Sequence, residues 1–337
     1  MRAPTRSPGL AVPRQLATPG ATPRDKPPAL IGIDWGTTSF RAFLTTADGT
    51  VLDAQHSASG ILSVSDGQFR PVLDAAIAPW LATHGRLPVL MSGMIGSRQG
   101  WLEAPYVDCP ARLADVAAAL TKVPDYVGGT GGVTIVPGVV AYDTAGTPDV
   151  TRGEETQIFG ALARHGETTG TFVLPGTHSK WVTVVDGAIT SLATYMTGEV
   201  YAALKGHTIL GRLMQDGEGS SAKTRADGFQ RGLAASAAAT GGPGALLRHI
   251  FSARTLGLFG ELAPEAIADY LSGLLIGAEI RDAAGAQAVV VVLASDALAR
   301  RYASAFGHLG IVPDDAAADC AAAGLAAIAK AAGIIEA

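Results

Sequence analysis

The chain is short of several features that would assign it to familiar classes. Its 337 residues include only two cysteines, Cys109 and Cys320, far apart and without CxxC spacing. A disulfide framework and a thiolate metal cage are both excluded, and a reducing compartment fits. The longest apolar run, Ala288 to Ala294, falls far short of the roughly 20 residues a membrane-spanning helix needs. Positive charge is not in excess either: 25 Lys and Arg stand against 30 Asp and Glu, a net charge of -5. With no block of like charge, nothing supplies the electrostatic footprint of a nucleic-acid binder. The chain therefore reads as a soluble, cytoplasmic protein with no nucleic-acid or membrane partner. The common nucleotide signatures are missing as well. Neither GxxxxGK[ST] nor a correctly flanked GxGxxG occurs, so "GGTGGV" at Gly128 to Val133 reads as a flexible turn.

What is present begins after residue 28. Residues 1–28 are rich in Pro and Arg, nearly free of acids and without the apolar core of a secretory signal, and read as a disordered tail. From Leu30 the pattern is strand (Leu30 to Asp34), loop (Trp35 to Ser39), strand (Phe40 to Thr46), a tight turn at Asp48-Gly49, and strand (Thr50 to His56). Phe69, Val72, Leu73, Ala76, Ile77 and Trp80 then recur at helical spacing. A buried strand is expected at Val89 to Met91 and a short one near Val133 to Val136. The Gly, Pro and Asp-rich stretch that follows puts a domain boundary near Asp149, dividing the chain into 29–148 and 149–337, with the last helix returning to the interface. The C-terminal third is helical around one buried strand, "AVVVVLAS". Alternating strands and helices at this length indicate two α/β domains with mixed sheets and a cleft between them.

The same device appears twice. Gly36-Thr37-Thr38-Ser39 and Gly176-Thr177-His178-Ser179 each follow an apolar strand, lead into another strand, and are followed by an Asp-Gly turn, at Asp48-Gly49 and Asp186-Gly187. A repeated supersecondary unit indicates two related halves, each pointing a Gly and hydroxyl loop into the shared cleft. A glycine turn exposes successive backbone N–H groups to phosphate oxygens, and the hydroxyls add donors. Either loop alone would also suit an ordinary turn; the repetition, together with Asp34 at the end of the first strand, favours phosphate. Asp34 is placed to hold a divalent metal, directly or through water. Positioning and charge neutralisation are what phosphoryl transfer demands.

A general base is also needed. Glu154 and Glu155 in "TRGEETQIFGAL" open a helix, where carboxylates are favoured by the dipole in any case; no other compact acid-bearing loop lies between the two hairpins. Lys180 and Arg41 follow their loops at nearly matching positions, and either could meet phosphate or a substrate carboxylate. Arg98 in "GMIGSRQGW" could clamp a carboxylate, and His178 could donate to a phosphoryl oxygen or serve as a structural hydrogen-bonder.

"IGIDWGTTSFRAFL", "MSGMIGSRQGW", "APY", "RGEETQ", "LPGTHSKWV", "MTGE" and "LSGLLIGAE", in that order from Leu30 onward, resemble the 2-dehydro-3-deoxygalactonokinase family of the actin, hexokinase and Hsp70 ATPase superfamily. The resemblance implies two related actin-like, ribonuclease H-like domains with a catalytic cleft between them. The implied reaction is phosphorylation of the C6 hydroxyl of 2-dehydro-3-deoxy-D-galactonate by ATP with Mg²⁺, in galactonate catabolism. It makes Asp34 to Ser39 the first phosphate motif, Gly176 to Ser179 the second, and Gly93 to Gly96 the connecting segment, with Gly93, Ser97, Arg98 and Lys180 on the substrate side. Different relatives select Glu154 or Glu155 as the base. Superfamily members place a Gly-bearing turn after a late strand to cradle adenosine, where this chain has Ser295 in "LASDAL". A kinase for a neutral sugar or polyol, and a non-catalytic sugar- or nucleotide-binding regulator, are the alternatives.

Overall fold

A computed structural model describes residues 26–124, 126, 132–166, 168–215, 221–240, 244–283, 290–294, 296–315 and 320–336. The expected tail lies almost wholly outside these residues, as do residues 128–131 of the expected glycine turn and Ser295. In chain order the first part forms β1 (Leu30–Trp35), β2 (Phe40–Thr45), β3 (Val51–Ser57), α1 (Phe69–His84), β4 (Val89–Ser92), β5 (Tyr106–Asp108), β6 (Ala111–Arg112), α2 (Leu113–Ala118), β7 (Thr121–Lys122), β8 (Val133–Ile135), β9 (Gly138–Tyr142) and β10 (Pro148–Thr151). The second part forms α3 (Glu154–His165), β11 (Gly170–Leu174), β12 (Ser179–Val185), β13 (Ala188–Tyr195), α4 (Thr197–His207), α5 (Ala222–Ala235), α6 (Ala245–Ile250), α7 (Ser252–Leu258), α8 (Ile267–Ala283), β14 (Val290–Val292), α9 (Asp296–His308), β15 (Asp314–Asp315) and α10 (Ala321–Ala331).

The duplication seen in the sequence extends to whole sheets. One sheet contains the order β3-β2-β1-β4-β8 and another the order β15-β14-β11-β12-β13, which is the same arrangement read from the other edge. In each, three antiparallel strands form a meander and two further strands run parallel to its first member. The fold is thus the expected pair of related actin-like α/β halves. Both central strands are buried nearly end to end, as strands covered on both faces require. Phe69, Leu73, Ile77 and Trp80 of α1 pack against β1 in the core of the first half.

Among the segments that link the two large sheets are β6 and α10. The short β6 pairs with β13 of the second sheet. Conversely α10, late in the chain, lies against β1 and α3: Leu325 covers Gly32 so closely that a Cβ there would fall 2.9 Å from its Cδ1. The α10 contact with α3 is backbone to backbone. A Cβ at Gly324 would lie 1.8 Å from the Thr156 carbonyl oxygen, and one at Gly160 would lie 2.0 Å from that of Cys320.

Overlap of this kind is with rigid helix backbone, so Gly324→Ala is expected to cost about 3 kcal/mol, the upper part of the range for overpacking. The better helix propensity of alanine offsets only about 1 kcal/mol of that. A clear fall in the urea midpoint is the expected result; an unchanged or higher midpoint would show that the two helices are not locked together.

Candidate active site

Both Gly and hydroxyl loops present themselves in the same way. Thr37, Thr38 and Ser39 are exposed between β1 and β2, and Gly176, Thr177 and His178 are exposed between β11 and β12. In each loop the carbonyls are taken from behind. The N–H groups of Ile61 and Leu62 donate to the carbonyls of Gly36 (3.0 Å) and Thr37 (3.2 Å), and the N–H of Glu199 donates to that of Thr177 (2.9 Å). A glycine supports each loop from beneath: a Cβ at Gly60 would lie 2.4 Å from the Thr37 oxygen, and one at Gly198 would lie 2.4 Å from the Gly176 oxygen. With these carbonyls engaged, Thr37, Thr38, Ser39 and Thr177 remain exposed, so that each loop offers hydroxyl-bearing residues at its surface, donors of the kind an anion takes.

The last member of the second motif departs from this pattern. Ser179 is fully buried and its hydroxyl donates to Glu279 at 2.7 Å. Glu279, near the end of α8, also accepts from Trp181 Nε1 (2.8 Å), Tyr302 Oη (2.8 Å) and Thr197 Oγ1. It therefore ties together both flanks of the second loop. The motif "LSGLLIGAE" contained this residue, and the signal was a single charged group ending the uncharged stretch from Leu271 to Ala278. A cavity of about 550 Å³, lined in part by Tyr195, Thr197, Leu275, Glu279, Arg281 and Asp282, opens beside that loop. His178 pairs with Glu199.

Asp34 and the glutamates come together through three turns. Asp34, at the end of β1, faces Arg41 across the hairpin and pairs with it, the Arg41 Nε lying 3.0 Å from Oδ2. Gly93 follows β4 at φ +93°, and a Cβ there would lie 2.8 Å from the Trp35 carbonyl oxygen and 3.1 Å from Asp34 Oδ1. Gly153, at φ +110°, precedes α3, and a Cβ there would lie 3.1 Å from the Gly93 Cα. The positive φ at both sites and the lack of space make glycine the residue these turns need. This stacking brings Glu154, the first residue of α3, within electrostatic reach of Asp34.

The two glutamates have different surroundings. Glu155 is 1% exposed, and both its carboxylate oxygens accept the Gly153 N–H at 2.8 Å, closing the N-terminus of α3. Burial, and then the neighbouring Glu154, push its carboxyl up to about 7. Glu154 keeps part of its surface open and accepts the Arg152 N–H at 2.9 Å. Burial raises its carboxyl too, while Lys180 draws it down and Asp34 adds to the rise. Lys180 is 8% exposed, its ammonium donating to the Val150 carbonyl and to Thr194 Oγ1, both at 2.7 Å. Arg98, expected on the substrate side, leaves 86% of its side chain exposed and pairs with Glu103 at 3.4 Å. Ser97 is buried beside Gly96. Arg152 was not singled out in the sequence. It is 8% exposed, with its guanidinium over the Tyr106 ring at 4.2 Å and hydrogen-bonded to the Ala104 carbonyl at 2.9 Å.

Comparison with known proteins places the chain among relatives of one kind. The family model described as 2-keto-3-deoxy-galactonokinase matches residues 34–328. A Rhizobium meliloti protein named as a probable 2-dehydro-3-deoxygalactonokinase is 38% identical over 308 residues, 89% of this chain and 96% of its own. The Escherichia coli 2-dehydro-3-deoxygalactonokinase is 35% identical over 306 residues, 89% and 97% of the two chains. A Sinorhizobium meliloti crystal structure bearing the same kinase name superposes with a TM-score of 0.77 at 36% identity, covering 90% of this chain and 98% of that one.

The buried carboxyl of Glu155 makes stability depend on pH. Because its folded-state value lies above the ordinary 4.5, the folded chain holds more protons than the unfolded one between about 4.5 and 7. This contribution is complete below the ordinary value and is lost as pH rises through about 7. Thermal melts across that range are expected to show a downward trend in the native protein that is flatter in Glu155→Gln. Equal slopes in the two proteins would contradict the assignment.

Proposed function

Because the chain belongs to the 2-keto-3-deoxy-galactonokinase family, we propose that it transfers the γ-phosphoryl group of ATP to the C6 hydroxyl of 2-dehydro-3-deoxy-D-galactonate, a step of galactonate catabolism in the cytoplasm. The observation that carries the mechanism is the placement of Glu154. It lies at the N-terminus of α3, beside Asp34 across the Gly93 and Gly153 turns, in a fold whose two phosphate-type loops have matching geometry.

Glu154 is the general base. A carboxyl raised above its ordinary value is a better proton acceptor, and of the two glutamates this one keeps an open surface. The C6 oxygen attacks the γ-phosphorus as its proton passes to the Glu154 carboxylate. The bond to the bridging oxygen breaks and ADP departs with that oxygen. Thr37, Thr38, Ser39, Gly36, Gly176 and Thr177 hold the phosphates, with His178 oriented by Glu199. The site also suits Mg²⁺: Asp34 pairs with Arg41 through Oδ2 and turns Oδ1 toward Gly93, and one carboxylate with phosphate oxygens and water matches the usual ligands of this ion. Asp34 would hold it, and the ion supplies neutralisation of phosphate charge. Lys180 sets the ionisation of Glu154. The halves 29–148 and 149–337 close on the substrate, keeping water from competing with the sugar hydroxyl.

A coupled ADP-release assay with MgATP tests this against 2-dehydro-3-deoxygalactonate, its gluconate epimer, galactonate, glycerol and glucose. Turnover confined to the 2-keto-3-deoxy acids is expected, and turnover on glycerol or glucose instead would refute the acid assignment. Glu154→Gln is expected to lower kcat by roughly 100-fold or more, and Asp34→Ala to abolish turnover. Since Lys180 draws the Glu154 carboxyl down, Lys180→Met should move the acid limb of the kcat profile to higher pH. A limb that stays in place would remove Lys180 from that role.

A further inference from the structure

Besides Arg41, which pairs with Asp34, three basic side chains of this region differ in their surroundings. Arg98 is solvated and paired with Glu103, a setting in which ionic contacts count for little. The Lys180 ammonium is held by the Val150 carbonyl and Thr194 and acts on Glu154. Arg152 differs from both. Its guanidinium is buried, yet all its described contacts are neutral: the Ala104 carbonyl, the Tyr106 hydroxyl at 3.4 Å and the Tyr106 ring. Among the described residues no carboxylate pairs with it. A buried guanidinium without a counter-charge is costly, and here one of its nitrogens, Nη1, has no hydrogen-bond partner at all.

Two further buried donors without a partner among the described residues are the hydroxyls of Thr151 and Ser97, and Ser97 is next in the chain to a residue that Arg152 touches. That residue is Gly96, where a Cβ would fall 3.0 Å from Nη1. Arg152 and Ser97 both belong to the immediate surroundings of the reaction. Arg152 is two residues before Glu154 and gives it a backbone hydrogen bond, while Ser97 follows the turn that starts at Gly93 beside Asp34.

We propose that Arg152, with Ser97 beside it, binds the carboxylate of the sugar acid and is the chain's means of telling an acid from a neutral sugar. The proposal rests on the sugar-acid kinase reading and adds the residues that read the acid. A planar carboxylate matches a guanidinium edge and supplies the missing counter-charge. Both donors are shut off from bulk water in this conformation, so the ligand reaches them only as the 94–97 turn moves with closure of the cleft. Carboxylate binding is thereby spent on assembling the site, and its loss appears in kcat as well as in KM.

The test compares kcat/KM for 2-dehydro-3-deoxygalactonate and for its neutral C1 carboxamide, in the native enzyme and in Arg152→Met, Arg152→Lys and Ser97→Ala, with ATP affinity measured by calorimetry for each. The native enzyme is expected to prefer the acid by roughly 30-fold or more, the lower end for removing one partner of a buried charge pair. Arg152→Met is expected to bring that ratio close to one by loss on the acid, with ATP affinity retained. Arg152→Lys should keep part of the preference, and Ser97→Ala should reduce it severalfold. An acid-to-amide ratio that survives in Arg152→Met, or that collapses in Arg98→Ala instead, overturns the proposal while leaving the kinase reading intact. If Arg152→Met does not fold, unchanged ratios in both Arg152→Lys and Ser97→Ala overturn it equally. A native enzyme that phosphorylates neither compound would defeat the kinase reading itself.

Discussion

The site depends on one close contact, the crossing of α10 over α3 with only glycine between their backbones. Through Gly160 and Gly324 the helix fixes α3, whose first residue is Glu154; through Leu325 on Gly32 it fixes β1, whose end carries Asp34. These two acids come from different parts of the chain, and neither hairpin alone sets their spacing. A helix without bulky side chains at the crossing sets it instead, because bare backbones leave fewer alternative packings than interdigitated side chains do. The Gly93 and Gly153 contact completes the arrangement on the cleft side.

The electrostatics follow from that placement. Two adjacent glutamates begin one helix, but geometry separates their duties. Glu155 turns back to the Gly153 N–H and is removed from solvent, while Glu154 stays between Lys180 and Asp34. The buried charges of this region are few and each has a specific opposite or donor, the exception being Arg152. In a chain with so little excess charge, the local field at the cleft comes from these few groups and the loop backbones rather than from the net charge of the surface.

Much of the architecture was legible because it is local. Strand patterns, the Asp-Gly turns and the repeated Gly and hydroxyl loops are short-range signals, and they led directly to the paired sheets. What the sequence could not show was long-range. Nothing near Ser179 marks it as facing Glu279, a hundred residues away, instead of the open side of its loop. Nothing in "GSRQGW" marks Arg98 as solvated while the arginine of "TRGEET" is buried against Tyr106. The difference between Glu154 and Glu155 was likewise hidden: both carboxylates accept a backbone N–H at the start of α3, and only their burial separates them. The crossing of β6 into the second sheet carries no local signature at all.

The position of α10 in the chain has a consequence for synthesis. β1 and its loop leave the ribosome long before residues 321–331, at translation rates that make the interval on the order of ten seconds or more. Through that time the face of β1 over Gly32 lacks the cover that Leu325 gives it in the folded chain. A strand face at the centre of the first sheet is thus left open for most of synthesis, the kind of surface through which unfinished chains aggregate.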